Sequence, residues 1–240
     1  AGERYSMIVT NTGMVFAGGF VESLDDYRGH LGLGSNSILE GVNEFLNIGQ
    51  VYDAEQLALV SPLFDRVFTG VENAPGSGVI HSILLDRQGN VWATGSNSMG
   101  QLCLGDFDDR MVPEKIGISS RIVDVAIGGE HTLLLDENGN VHGCGSNAIG
   151  QLGLGEGLDG ISSPIMLGDL SSVSSISAGH SHSLFTADDG IYLTGSNEFG
   201  QLCTDTGGND IYTPGSLTVD RTTIISFEAI GESSYILYVD

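Results

Sequence analysis

Three histidines, His81, His131 and His182, recur about every fifty residues in matching surroundings, and the first chemistry such a set invites is metal ligation or proton transfer. Two acidic stretches, Asp106-Phe107-Asp108-Asp109 and Asp205 to Asp210, invite a second, calcium binding through carboxylate oxygens. Neither survives the spacing. Zinc needs ligands converging within about 2 to 2.3 Å of one ion, and side chains a whole repeat apart meet only if they point to a common axis. The acidic stretches lack the ordered oxygen ligands and turn glycine of a calcium loop. No G-x-S-x-G, H-E-x-x-H, P-loop or strand-borne G-x-G-x-x-G occurs either. The chain is therefore expected to use no metal or other cofactor and to catalyse no covalent chemistry. The histidines read as strand-end anchors held by a hydrogen bond, with Tyr5 and Ser234 in their place at the two ends and His180 as a solvated neighbour.

Cys103, Cys144 and Cys203 are odd in number and widely spaced, which offers neither a disulfide framework nor a CxxC zinc site. They read as small buried apolar residues, typical of a reducing compartment, so an intracellular, cytoplasmic chain is expected. Eight Lys and Arg stand against 31 Asp and Glu, a formal net charge of -23. Clustered cations release counterions from a phosphate backbone, so no direct nucleic-acid partner is expected. No run approaches the roughly 18 apolar residues of a membrane span, and AGERYSMIVT lacks the regions of a signal peptide. The chain reads as a fragment of a longer protein.

The elements that must position these residues form a repeat. HSILLDRQGNVWATGSNSMGQLCLG from His81, HTLLLDENGNVHGCGSNAIGQLGLG from His131 and HSLFTADDGIYLTGSNEFGQLCTDT from His182 superpose, with Gly95, Gly145 and Gly195 each fifty residues apart. A degenerate copy opens at Tyr5, and IISFEAIGESSYILYVD begins a fifth. Glycine at 36 of 240 residues is about twice its ordinary share of roughly 7% and marks many tight turns between short strands. Val123 to Gly129 suits a strand buried on both faces. Asp136-Glu137-Asn138-Gly139 separates two apolar runs and predicts a hairpin, with Gly139 at positive φ. Pro62, Pro113, Pro164 and Pro214 mark an outermost strand, where a missing N–H does least harm. Four antiparallel strands per unit, stacked radially, make a propeller blade. Gly95, Gly145 and Gly195 are expected to permit a close backbone approach, and Asn97, Asn147 and Asn197 to hold the turn that follows.

The signature H-[ST]-L-x-L-x-x-x-G-x-V-x-x-x-G-x-N-x-x-G-Q-L-G-x-G, nearly complete from His131 to Gly155, resembles the regulator of chromosome condensation repeat. The resemblance implies an all-β fold, a β-propeller of four-stranded antiparallel blades. In that family seven repeats close the ring, so this chain is expected to form a partial or open array of about four to five blades. Its units are placed at 1–70, 71–122, 123–172, 173–223 and 224–240, the last incomplete. Flanking sequence, a partner or a second copy is expected to supply the missing blades.

Function is expected where the copies differ, because binding residues concentrate on loops held by a rigid frame. The first unit carries an insertion at about 35–54, in which Ile38, Leu39, Val42, Phe45 and Leu46 stand at helical spacing behind a capping pair, Ser37 and Glu40. A short helix is predicted there, either packed on the first blade or protruding toward a partner. Acidic loops follow each Gly-Gln-Leu: Asp106, Phe107, Asp108, Asp109 and Arg110; Glu156 and Asp159; Asp205, Asn209 and Asp210. On one face of the array they either steer a basic protein surface or supply solubility charge. The leading expectation is a non-catalytic protein-interaction propeller, a scaffold or a subunit of a larger assembly. The alternative, which the resemblance implies, is a guanine-nucleotide exchange factor for a Ran-like small GTPase.

Overall fold

Short apolar runs separated by glycine turns close into successive antiparallel sheets in the computed structural model, which describes residues 5–19, 42–47, 51–53, 58–60, 62–70, 80–168, 170–204, 207–217 and 224–238. The first sheet holds β1 (Tyr5–Val9), β2 (Val15–Gly19) and β3 (Val42–Asn47) in that order. Then come β4 (Val51–Asp53), β5 (Ala58–Val60), β6 (Phe64–Thr69), β7 (His81–Asp86), β8 (Val91–Gly95) and β9 (Arg110–Lys115). Here β6 to β9 form a four-stranded meander, and β4 adds to its edge in parallel to β9, carrying β5 outside it. The next two sheets are simple meanders: β10 (Ile122–Ile127), β11 (His131–Asp136), β12 (Val141–Gly145) and β13 (Ile161–Met166), then β14 (Val173–Ala178), β15 (His182–Ala187), β16 (Ile191–Gly195) and β17 (Ile211–Leu217). β18 (Ile224–Ile230) and β19 (Ser233–Tyr238) form the last pair. The fold is an all-β array of propeller blades.

Blades stack through their first strands: β10 packs on β6 and on β14, and β14 on β18. The core lies between sheets. Ile83, Leu85 and Val91 of one blade meet Val125 and Leu134 of the next, and Leu133, Leu135 and Val141 meet Ile176 and Phe185 one blade further on. Each fully buried Leu or Ile side chain contributes about 1.5–3 kcal/mol, so a blade is stabilised largely by its neighbours.

In the three four-stranded meanders the second strand is buried along its length but for Thr186 of β15, and the third strand β8 is buried as fully. All six residues of β7 and of β11 are buried, whereas β10, expected to be covered on both faces, leaves Val123, Asp124 and Ile127 half-buried. The physical reason is position: the second strand has a strand on either side and a sheet above and below, while the first strand is the edge of its sheet. Pro164 and Pro214 fall in the outermost strands β13 and β17, as expected of a residue without an N–H; Pro113 falls in β9, the last strand of its meander but flanked outside by β4, and Pro62 precedes β6.

The predicted helix is corrected. Val42, Phe45 and Leu46 lie in β3, which pairs with β2 through Phe16↔Asn47, Ala17↔Leu46 and Gly19↔Val42. Val42, Phe45 and Leu46 stand at i, i+3 and i+4, a helical spacing, but the edge of β2 offers backbone groups that an extended segment pairs with. Ile38 and Leu39 lie outside the described residues. No helix occurs among the described residues, so none is long and apolar enough to cross a membrane.

Candidate interaction surface and the frame that holds it

The repeated histidine begins the second strand, and its ring leaves its own blade. His81 Nε2 lies 2.8 Å from Thr132 Oγ1, His131 Nε2 2.9 Å from Ser183 Oγ, and His182 Nε2 3.0 Å from Ser234 Oγ. The hydroxyls identify the donor. Thr132 donates to the Gln101 carbonyl at 2.7 Å and Ser183 to the Gln151 carbonyl at 2.6 Å, so each hydroxyl proton is already engaged and the imidazole Nε2–H must donate. The H-[ST] pair is thus two halves of a clasp: histidine reaches forward to the next blade, and the adjacent hydroxyl receives the previous one. The anchoring hydrogen bond expected of the histidines is present, and it runs between blades.

For His81 and His131 this leaves Nδ1 as the acceptor nitrogen, and in His81, His131 and His182 Nδ1 is buried without a hydrogen-bond partner. Burial disfavours the charged ring, lowering His81 and His131 to about 3 and His182 to about 4. All three imidazoles are therefore neutral at ordinary pH. They stand on successive blades, and among the described residues no group of three or more His, Cys, Asp or Glu gathers to hold a metal ion. Ser234 takes the hydroxyl position of the clasp, not the histidine position expected for it. His180 is half-buried in an inner turn, where its N–H donates to the Gly231 carbonyl at 2.6 Å and its carbonyl accepts from Gly129 N–H at 2.9 Å.

At the far end of the third strand, Gly145 has φ +100°, and a Cβ there would lie 2.3 Å from the Glu130 carbonyl oxygen. Gly95 and Gly195 repeat this at φ +109° and +104°, so glycine serves both conformation and approach. Beyond it the asparagine closes the loop. Asn97, Asn147 and Asn197 accept through Oδ1 from the N–H of Leu102, Leu152 and Leu202. The same three asparagines donate their backbone N–H to Asp109, Asp159 and Asp210, at 2.7, 2.8 and 2.9 Å.

These aspartates were expected at a partner surface. Each has one oxygen tied to its own loop, and Asp109 and Asp159 are exposed. Asp106 bonds Arg110 Nη2 at 2.6 Å and accepts from Asn97 Nδ2; the guanidinium is the chief cause holding its carboxyl below the ordinary aspartate range. Arg110 also reaches Glu114. Phe107 and Asp108 are exposed, Phe107 with its ring beside Gly160 of the next blade's loop. Glu156 and Asn209 are exposed, and Asp205 lies outside the described residues.

Antiparallel order sends every first-to-second turn and every third-to-fourth loop to the same end of the blades. On that end Glu130, Glu156, Glu198 and Glu232 join the loop aspartates, while Arg87 and Arg121 sit at the opposite end beside the hairpins and crossovers. The surface is a set of acidic loops on a frame that has satisfied most of its own polar groups.

Cys103 and Cys144 are buried as expected, but the expectation of no disulfide is overturned. Cys103 and Cys144 are disulfide-bonded, with Cα atoms 5.5 Å apart, and Cys203 is exposed, not buried. The bonded pair comes from adjacent blades, a proximity that spacing along the chain does not reveal without knowing how one blade stacks on the next.

A family model described as Regulator of chromosome condensation (RCC1) repeat matches residues 88–135 and 138–186, and a second model of the same description matches 122–151. No curated protein matches the chain in sequence. Among solved structures, human WBSCR16 is similar at 21% identity with a TM-score of 0.76, covering 100% of this chain and 57% of that one. Yeast RCC1 (Prp20), solved bound to Kap60, is similar at 18% identity and TM-score 0.77, covering 100% of this chain and 53% of that one. Prp20p from Saccharomyces cerevisiae, described with its binding properties to Gsp1p and histones, gives 18%, 0.76, 100% and 55%. The chain thus spans little more than half the length of these structures.

Proposed function

From the premise that this chain carries the Regulator of chromosome condensation repeat and has its propeller fold, we propose that it is a non-catalytic protein-interaction propeller whose acidic loop end takes a basic protein surface. The observation that carries this reading is the division of labour in the loops. One carboxylate in each, Asp109, Asp159 or Asp210, holds the loop to its frame, while Asp108 and Glu156 remain exposed on loops already held in place. Fixed exposed charge of one sign raises the encounter rate with a surface of the other and penalises like-charged partners. Prp20p, similar in fold, is described with binding to histones, which makes core histones a suitable basic probe. Titration should give an affinity that falls with added salt and falls further in Asp108→Asn/Glu156→Gln. No binding at low ionic strength would sink this reading.

A second reading, nucleotide exchange on a Ran-like small GTPase, rests on the family resemblance and on the fold shared with yeast RCC1. Exchange deforms a nucleotide site through a shaped surface and needs no nucleophile. Incubation with small GTPases loaded with labelled nucleotide distinguishes the two: catalytic release favours exchange, and unaltered release favours the interaction propeller.

A further inference from the structure

Successive seams between blades build the same contact from different chemistry. Where the third full sheet, β14 to β17, meets β10 to β13, Thr194 Oγ1 donates to the Gly150 carbonyl at 2.6 Å. Beside it Gly153, at φ +68°, lies so close under Pro214 that a Cβ would come 2.8 Å from the proline Cδ. One seam earlier, where β10 to β13 meets β6 to β9, the repeat positions of Gly153 and Thr194 are held by Cys103 and Cys144, joined as a disulfide.

Each replacement is unfavourable alone. Cys103 keeps the left-handed backbone of the glycine it replaces, at φ +59°, which strains a residue with a Cβ. Cys144 gives up the hydroxyl that bonds the neighbouring blade. Together they convert a hydrogen bond between blades into a covalent one across 41 residues of chain, restricting the unfolded chain as well as the folded seam. Both residues are buried, Cys103 at 2% and Cys144 at 0% exposure.

We propose that Cys103–Cys144 is a redox-controlled clamp between two blades: reduction loosens the seam between β6–β9 and β10–β13 and leaves the next seam unchanged. A dithiol reductant delivers two electrons and two protons, the S–S bond breaks to two thiols, and the reductant leaves as its own disulfide. Because both sulfurs are buried, attack follows a local opening of that seam. Afterwards the seam retains the His81–Thr132 clasp, but Cys103 keeps its left-handed backbone and no bond joins the two sulfurs.

The test uses the full chain in a Cys203→Ser background, which removes the exposed thiol. Alkylation in denaturant is expected to add no label to unreduced protein and two labels after reduction. Reduction should speed amide exchange at Val125 and Leu134 about tenfold and leave Ile176 and Phe185, in the next seam, unchanged. Cys103→Gly/Cys144→Thr, which installs the residues of the following seam, should ignore the reductant and exchange more slowly than the reduced parent. Two labels without reduction, equal acceleration at both seams, or a double variant no slower than the reduced parent would each overturn the clamp.

Discussion

The buried clasps and the loop rim spend polar groups to opposite ends. In the clasp the same three partners recur in successive blades: an imidazole N–H, a serine or threonine hydroxyl and a glutamine carbonyl. In the rim the asparagine–aspartate anchor recurs, with a glutamine side chain that accepts from the N–H two residues before it, and the acidic stretch beyond changes in length and type. A buried polar group must be matched with its partner or it destabilises the fold. An exposed one is free to vary once a single anchor fixes the loop, so uniformity marks the frame and variation marks the surface.

If that contrast is right, the largest effect should come from the clasp. His131→Ala removes the donor to Ser183 and leaves a cavity in a fully buried site, and a loss of roughly 2–4 kcal/mol is expected in denaturant unfolding. A loss below about 1 kcal/mol would mean that the stacked strands, not the clasp, hold the seam.

Acid should break the same row next. The sign follows from burial: the folded imidazoles are depressed to about 3 and 4, while an unfolded histidine titrates near pH 6.5. The stability they allow is complete above about pH 6.5 and declines as pH falls toward the folded values, because the unfolded chain takes up protons that the folded chain refuses. Each imidazole contributes a slope approaching about 1.4 kcal/mol per pH unit within that window. Asp106 and Asp136, both held below the usual aspartate range, lose their contribution only under more acid conditions. The midpoint denaturant concentration should therefore drop between about pH 6 and 4.5, and His131→Gln should flatten the drop by about a third. A flat profile across that window would contradict neutral buried rings.

The blade was legible because its period is long and its turns use glycine at fixed places; His131 to Gly155 alone carries the hairpin, the close approach at Gly145 and the asparagine turn. Half of the clasp was also visible, in the H-[ST] pair, but Thr132 and Ser183 passed as ordinary strand residues because their partner lies a full blade away. The disulfide was hidden for the same reason. β3 was not legible because Val42, Phe45 and Leu46 stand at helical spacing, and strand pairing is decided by an edge that belongs to another part of the chain. Local pattern reports local structure; contacts between repeats need the stacking geometry.

The rim should give the smallest effect on stability and a separate one on binding. Asp159 accepts from Asn147 N–H at 2.8 Å and from Ser146 Oγ at 3.0 Å, and Asp159→Asn keeps an oxygen in place to accept both, so a change under about 1 kcal/mol is expected. Asp159→Ala removes the acceptor and should loosen the loop, seen as faster exchange at Asn147. Glu156→Gln alters neither bond and should leave unfolding unchanged while weakening the hold on a basic probe at low salt. If Asp159→Asn destabilised the chain as much as His131→Ala, the rim would belong to the frame and the division between anchor and surface would fail.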